Sequence, residues 1–96
     1  MRNEKEQAQY AFHESDTDFL FSQFANTEKE SLSLAEKGLA LPAYEQCIKA
    51  SHLFNLLDAR GVISVTQRAQ YIRRVRDMAL SSAKAWKEGE EQGEAS

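Results

Sequence analysis

The sequence predicts an all-α fold, an antiparallel bundle of about four helices followed by a disordered C-terminal tail. Three observations carry this. Apolar residues recur at spacings of three and four, and no stretch alternates with period two over a useful length. The punctuation is that of helices: Ser15-Asp16, Pro42 and Ser64 as start signals, Gly38 and Gly61 as stops. With 96 residues and a single proline, the chain has room for one compact domain with short connections. That domain is expected over residues 1–88, and the acidic tail over 89–96.

The first helix, about residues 2–12, has a polar start and gathers Ala8, Tyr10, Ala11 and Phe12 near its end. The second, about 16–37, opens with N-cap oxygens from Ser15 and Asp16, and Asp18 complements the helix dipole. Leu20, Phe21, Phe24, Ala25, Glu28, Leu32 and Ala35 form its stripe, apolar except for Glu28, and Gly38 supplies a left-handed terminator. Phe19, Phe21 and Phe24 are expected to pack against the third helix.

The third helix, about 42–58, tolerates Pro42 in its first turn, where an N–H would lack a partner anyway. Tyr44, Cys47, Ile48, Ser51 and Phe54 mark its inward face, widened by Leu53, Leu56 and Leu57, as for a helix at the middle of a bundle. Gly61 ends it. Ser64 and Gln67 make an S-x-x-Q capping box, with Val62 or Ile63 as a hydrophobic staple over the first turn. The fourth helix then runs to about residue 88 on a stripe of Arg68, Ile72, Val75, Ala79, Ala83 and Trp86, with Tyr71 and Met78 at its flank. The tail, EGEEQGEAS, has two glycines and nothing more apolar than alanine, so disorder is expected.

The net charge of −3 conceals a polarised distribution. Residues 1–45 carry four Lys/Arg against nine Asp/Glu, a net of −5, while residues 46–87 carry eight against two, a net of +6. Blocks of opposite sign attract each other within a fold or face a charged partner, and internal compensation is the simpler expectation.

No phosphate-binding glycine loop and no histidine pair at metal spacing occurs. His13 and His52 stand alone on different helices, without the further ligands or orienting groups that a zinc or catalytic site needs. Cys47, the only cysteine, lies on an apolar face with no basic neighbour one turn away, which reads as a buried structural thiol. A lone cysteine, no secretory signal and no apolar run of bilayer length fit a reducing cytoplasm and no membrane. The residues thus point to no catalytic, cofactor-binding or metal site. What remains is basic: Arg60, Arg68, Arg73, Arg74 and Arg76. Arg73 is placed for an ion pair with Asp77 one turn on, whereas Arg74 and Arg60 have no such local partner. The arginines suit phosphate, the acidic second helix, or an acidic partner protein. No aromatic residues interleave with them as in a single-strand stacking groove. Asp58 and Arg60 are expected to lock the corner by hydrogen bonds to free backbone groups. The place of Trp86, over the core or in a subunit contact, stays open.

A longer pattern runs through these elements. Leu41-Pro42-Ala43-Tyr44, Lys49-Ala50-Ser51-His52, Phe54 through Arg60, and Ile63-Ser64-Val65-Thr66 with Arg68 follow in order. Asn3-Glu4 through Tyr10 and Phe12, Asp18 through Phe21, and Glu28-Lys29-Glu30 precede them. In this order the chain resembles the C-terminal helical region of the alpha subunit of bacterial glycyl-tRNA synthetase of the two-subunit type. The likeness covers nearly everything but the tail. One departure is Gln67, where the family usually has glutamate; both residues serve a capping box.

The resemblance implies a part of glycine–tRNA ligase, a class II synthetase that attaches glycine to tRNA at the expense of ATP with magnesium. No counterpart of that enzyme's catalytic core is found in these residues, so the segment is expected to be inactive alone and to serve assembly or tRNA contact. The implied partners are the beta subunit and the rest of the alpha subunit, with tRNA as the rival, and the residues leave a homodimer open. Arg60, Arg68, Arg73, Arg74 and Arg76 are the candidate contact residues. The alternative is a stand-alone helical adaptor unrelated to translation.

Overall fold

The computed structural model describes residues 2–95, so Met1 and Ser96, which open and close the expected domain and tail, lie outside it. The elements are α1 (Arg2–Gln9), prolonged by a π-helical turn (Tyr10–Glu14), then α2 (Thr17–Glu36), α3 (Ala40–Ala59) and α4 (Val65–Ala95). Every described element is helical. No helix is long and apolar enough to cross a membrane among these residues.

Local chemistry sets the boundaries. The Asp16 side chain accepts a hydrogen bond from the Phe19 amide at 3.1 Å and so caps α2. At the far end, Gly38 sits at φ +80°. Its N–H donates to Ala35 O and the Leu39 N–H to Leu34 O, which satisfies the last carbonyls in a Schellman turn. Pro42 falls in the first turn of α3, as expected. Gly61, at φ +71°, closes α3 with its N–H on Asp58 O. The capping box then forms in both directions. The Gln67 amide donates to Ser64 Oγ at 3.1 Å, and the Ser64 amide donates to Gln67 Oε1 at 2.9 Å.

The core lies between α2, α3 and α4, and α1 buries nothing. Phe24, Cys47, Ala50 and Met78 form one buried cluster, and Leu20, Leu57 and Ile63 a second. Tyr71, Leu53 and Phe54 touch both. Tyr71 meets Phe24 edge-on at 4.8 Å and stacks on Phe54 at 6.0 Å. Full burial of a side chain such as Phe24 or Leu57 stabilises by about 1.5–3 kcal/mol. Two buried serines stay satisfied. Ser31 Oγ donates to Ala43 O at 2.8 Å and ties α2 to α3, while Ser82 Oγ donates back to Met78 O.

Several expectations change, and Phe19, 57% exposed and in neither cluster, does not join Phe21 and Phe24 in the packing. The inward seam of α3 is the small-residue line Ala40, Ala43, Cys47 and Ala50 leading to Leu57, while Tyr44 and Ile48 are half exposed. Small side chains let α3 approach its neighbours closely, and that closeness outweighs the larger residues one position round. The inner line of α4 is likewise rotated, to Tyr71, Val75, Met78, Ser82 and Ala85, leaving Ile72, Ala83 and Trp86 outside. Ile63 enters the core beside Leu20 and Leu57 and does not merely fold over the first turn of α4. Finally, α4 continues past residue 88 to Ala95 where composition predicts disorder. A helix already nucleated extends through Glu, Gln and Ala at little cost, despite Gly89 and Gly93. Residues 89–93 are exposed.

Candidate functional site

The five arginines singled out above fall into three groups. Arg60 caps the C-terminal end of α3, and its Nη1 donates to the Ser15 carbonyl oxygen and, at 3.2 Å, to Ser15 Oγ. It thereby fastens the end of the π-helical turn, whose carbonyl groups have run out of intrahelical partners. The expected lock of the corner through its own backbone groups does not form: Arg60 reaches across to the first helical segment, and Asp58 accepts from the Arg68 side chain.

Arg68 and Arg74 are neutralised inside the domain. Arg68 Nε and Nη2 both donate to Asp58 Oδ1, at 3.1 and 2.7 Å, so Asp58 clamps α3 to α4 across the turn. Arg74 forks onto Glu28 of α2, with Nε on Oε2 at 2.9 Å and Nη2 on Oε1 at 2.6 Å. Its guanidinium also lies over the rings of Phe24 and Tyr71, at 4.7 and 4.8 Å from their centroids. The Glu28 hydrogen bond pushes the Arg74 pKa above its ordinary value despite partial burial. Glu28, the one charged residue of the α2 stripe, is thus the partner within the acidic second helix that takes Arg74. A carboxylate within an apolar stripe demands a cation, and the basic fourth helix had one to offer.

Arg73 and Arg76 remain. Both are exposed, and neither makes an ion pair among the described residues. The expected Arg73–Asp77 pair does not form. With Leu80, Ala83 and Lys87 they make a line at spacings of three and four along the outside of α4.

That line borders an apolar groove. Leu41 and Tyr44 of α3 face Ala79, Ala83 and Trp86 of α4 across a cleft of about 180 Å³. A second cleft of about 440 Å³ continues from it past Leu39 and Pro42 to Gly89 and Glu90. Trp86 therefore lies outside the core, on the wall of both. The groove contains no nucleophile with a base and no cluster of ligating side chains. His13 and His52 are exposed and lie on separate elements. Cys47 is buried, its thiol donating to Val75 O at 3.6 Å, and burial raises its pKa above the ordinary thiol value.

The family model of the glycyl-tRNA synthetase alpha subunit matches residues 1–91 of this chain, a span that takes in the arginines and the groove. The chain belongs to the family of the glycyl-tRNA synthetase alpha subunit.

Proposed function

We propose that this chain is a non-catalytic helical assembly segment of glycine–tRNA ligase, the class II enzyme that joins glycine to tRNA using ATP and magnesium in the cytoplasm. Its task in this reading is to dock the beta subunit and the remainder of an alpha subunit. The observation that carries the proposal is the fate of the arginines. Two of the basic side chains that read as a phosphate contact are spent on Asp58 and Glu28, while a half-exposed apolar surface lies beside the two that stay free. Phosphate recognition needs unpaired cations in number, since its strength comes from counterion release. Subunit docking needs apolar area with a polar rim, which is what α3 and α4 offer.

Family membership weighs against an adaptor unrelated to translation. Co-expression of the chain with a tagged beta subunit, followed by affinity capture, tests the proposal. The chain is expected to co-purify with the subunit and to show no glycine-dependent exchange of pyrophosphate into ATP by itself. A second arm titrates the chain with tRNA at two salt concentrations. Tight tRNA binding that weakens steeply with salt, without capture by the subunit, overturns the assembly reading.

A further inference from the structure

The sequence predicts four packed helices, yet only three share the core. On one side of the α3–α4 pair lies α2; the groove on the other side is open. Its α3 wall holds Leu41, 62% exposed, and Tyr44, 49% exposed, and half-exposed Ile48 continues the same helical line one turn beyond the cleft. Its α4 wall holds Trp86, 51% exposed. An apolar trough between two helices, with the position opposite α2 vacant, has the form of a seat for one more helix.

Charge specifies the occupant further. Arg73, Arg76 and Lys87 line the outer rim, and Ala83 belongs both to that line and to the groove wall. None of the three basic groups has an ion-pair partner among the described residues. The α3 side is mixed, with exposed Glu45 one turn on from Leu41 and Lys49 a turn further, so the basic excess is that of the α4 rim; Asp58 is held by Arg68, and Glu90 stands at the far end of the second cleft. Of the other acidic groups of α4, exposed Glu91 follows Lys87 one turn on, at the same far end as Glu90. Glu88 flanks a cleft against α2, on the line that also carries Asp77, Ser81 and Lys84.

We infer that the α3–α4 groove binds an amphipathic helix of another polypeptide, one that presents aliphatic side chains to Leu41, Tyr44, Ile48 and Trp86 and carboxylates to Arg73, Arg76 and Lys87. This deepens the assembly reading and rests on it for the partner's identity. RNA fits less well, because the trough is apolar on both walls and a phosphate backbone gains nothing by covering it.

Trp86 is the only tryptophan and reports directly on occupancy. The probe is a tryptophan-free synthetic helix with leucines at i, i+3, i+4, i+7 and i+11 flanked by glutamates, titrated into the whole 96-residue chain. The control peptide has lysine in place of each glutamate. The expected result is a saturable blue shift of Trp86 emission with the acidic peptide, at least tenfold weaker for the lysine peptide. Ile48→Glu should abolish the shift while leaving the helical circular dichroism unchanged, since Ile48 lies outside the core. Equal affinity for both peptides overturns the proposal. So does a steeply salt-dependent shift of Trp86 by tRNA, or self-association of the wild type that Ile48→Glu abolishes, which would make a second copy the occupant. Capture of the beta subunit that survives Ile48→Glu removes the groove from the account and leaves assembly standing. Binding of the acidic peptide without capture of the subunit does the reverse.

Discussion

At the scale of single residues, Arg74 and Cys47 show how burial converts ordinary side chains into structural ones. The Arg74–Glu28 pair joins the basic fourth helix to the acidic second, and it is two-thirds or more removed from solvent on both sides. Such a pair is worth more than an exposed one, though partial solvent screening keeps it below a fully buried one. Arg74→Ala strands Glu28 and removes the alkyl stem from Phe24 and Tyr71, so it should cost roughly 2–3 kcal/mol in urea unfolding. Arg73→Ala, with no partner to lose, should stay within about 0.5 kcal/mol of the parent. Equal losses at the two positions would show that Arg74 is not turned inward. Cys47 makes a prediction of a different kind. Its thiol is pushed up from 9.0 by desolvation, so the native chain keeps a proton that the unfolded chain releases first. The associated stability is fully present below about pH 9 and is lost as pH rises through the higher folded value. Unfolding curves of wild type and Cys47→Ala should therefore draw together, or cross, between pH 8 and pH 10, the wild type losing more. Parallel pH dependences would mean that Cys47 is not buried as a neutral thiol.

At the scale of elements, boundaries were more legible than faces. Asp16, Gly38, Pro42, Gly61 and the Ser64–Gln67 box act by local rules that need no knowledge of neighbours, and each sits where those rules put it. Ser64→Ala removes the oxygen that accepts from the Gln67 amide and should destabilise by about 1 kcal/mol, measured by thermal unfolding. Ser64→Asp should restore most of it, and an alanine variant as stable as the parent would rule the box out as a stabilising device. Faces depend on what packs opposite, and here periodicity misled. In α3 apolar residues flank both sides of the inward line, so its pattern does not choose between the alanine seam and the Tyr44–Ile48 side. The same ambiguity set α4 about one position out of phase, which hid Ser82 and Ala85 and turned Arg74 from a surface candidate into a core-facing residue. The α4 extension to Ala95 eluded composition for another reason: glutamate and glycine signal disorder in isolation, not at the end of an established helix.

At the scale of the molecule, the charge polarity seen in the sequence is half resolved internally. Arg74–Glu28 links the basic block to the acidic one, Arg68–Asp58 closes the corner, and Arg60 binds the first segment to the end of α3. Of the basic charge that these contacts leave over, Arg73, Arg76 and Lys87 share one line of α4 beside an uncovered apolar groove. Of the candidate contact residues, then, Arg60, Arg68 and Arg74 are engaged within the fold, and in the proposed reading Arg73 and Arg76 are the ones left for a partner. That division is the central claim, and calorimetric titration of the chain with the beta subunit tests it most directly. Arg73→Glu/Arg76→Glu should weaken binding at least tenfold, about 1.4 kcal/mol, while Lys29→Glu on the exposed surface of α2 should leave it unchanged. Unchanged affinity for the arginine pair, or equal loss from both changes, would contradict the account.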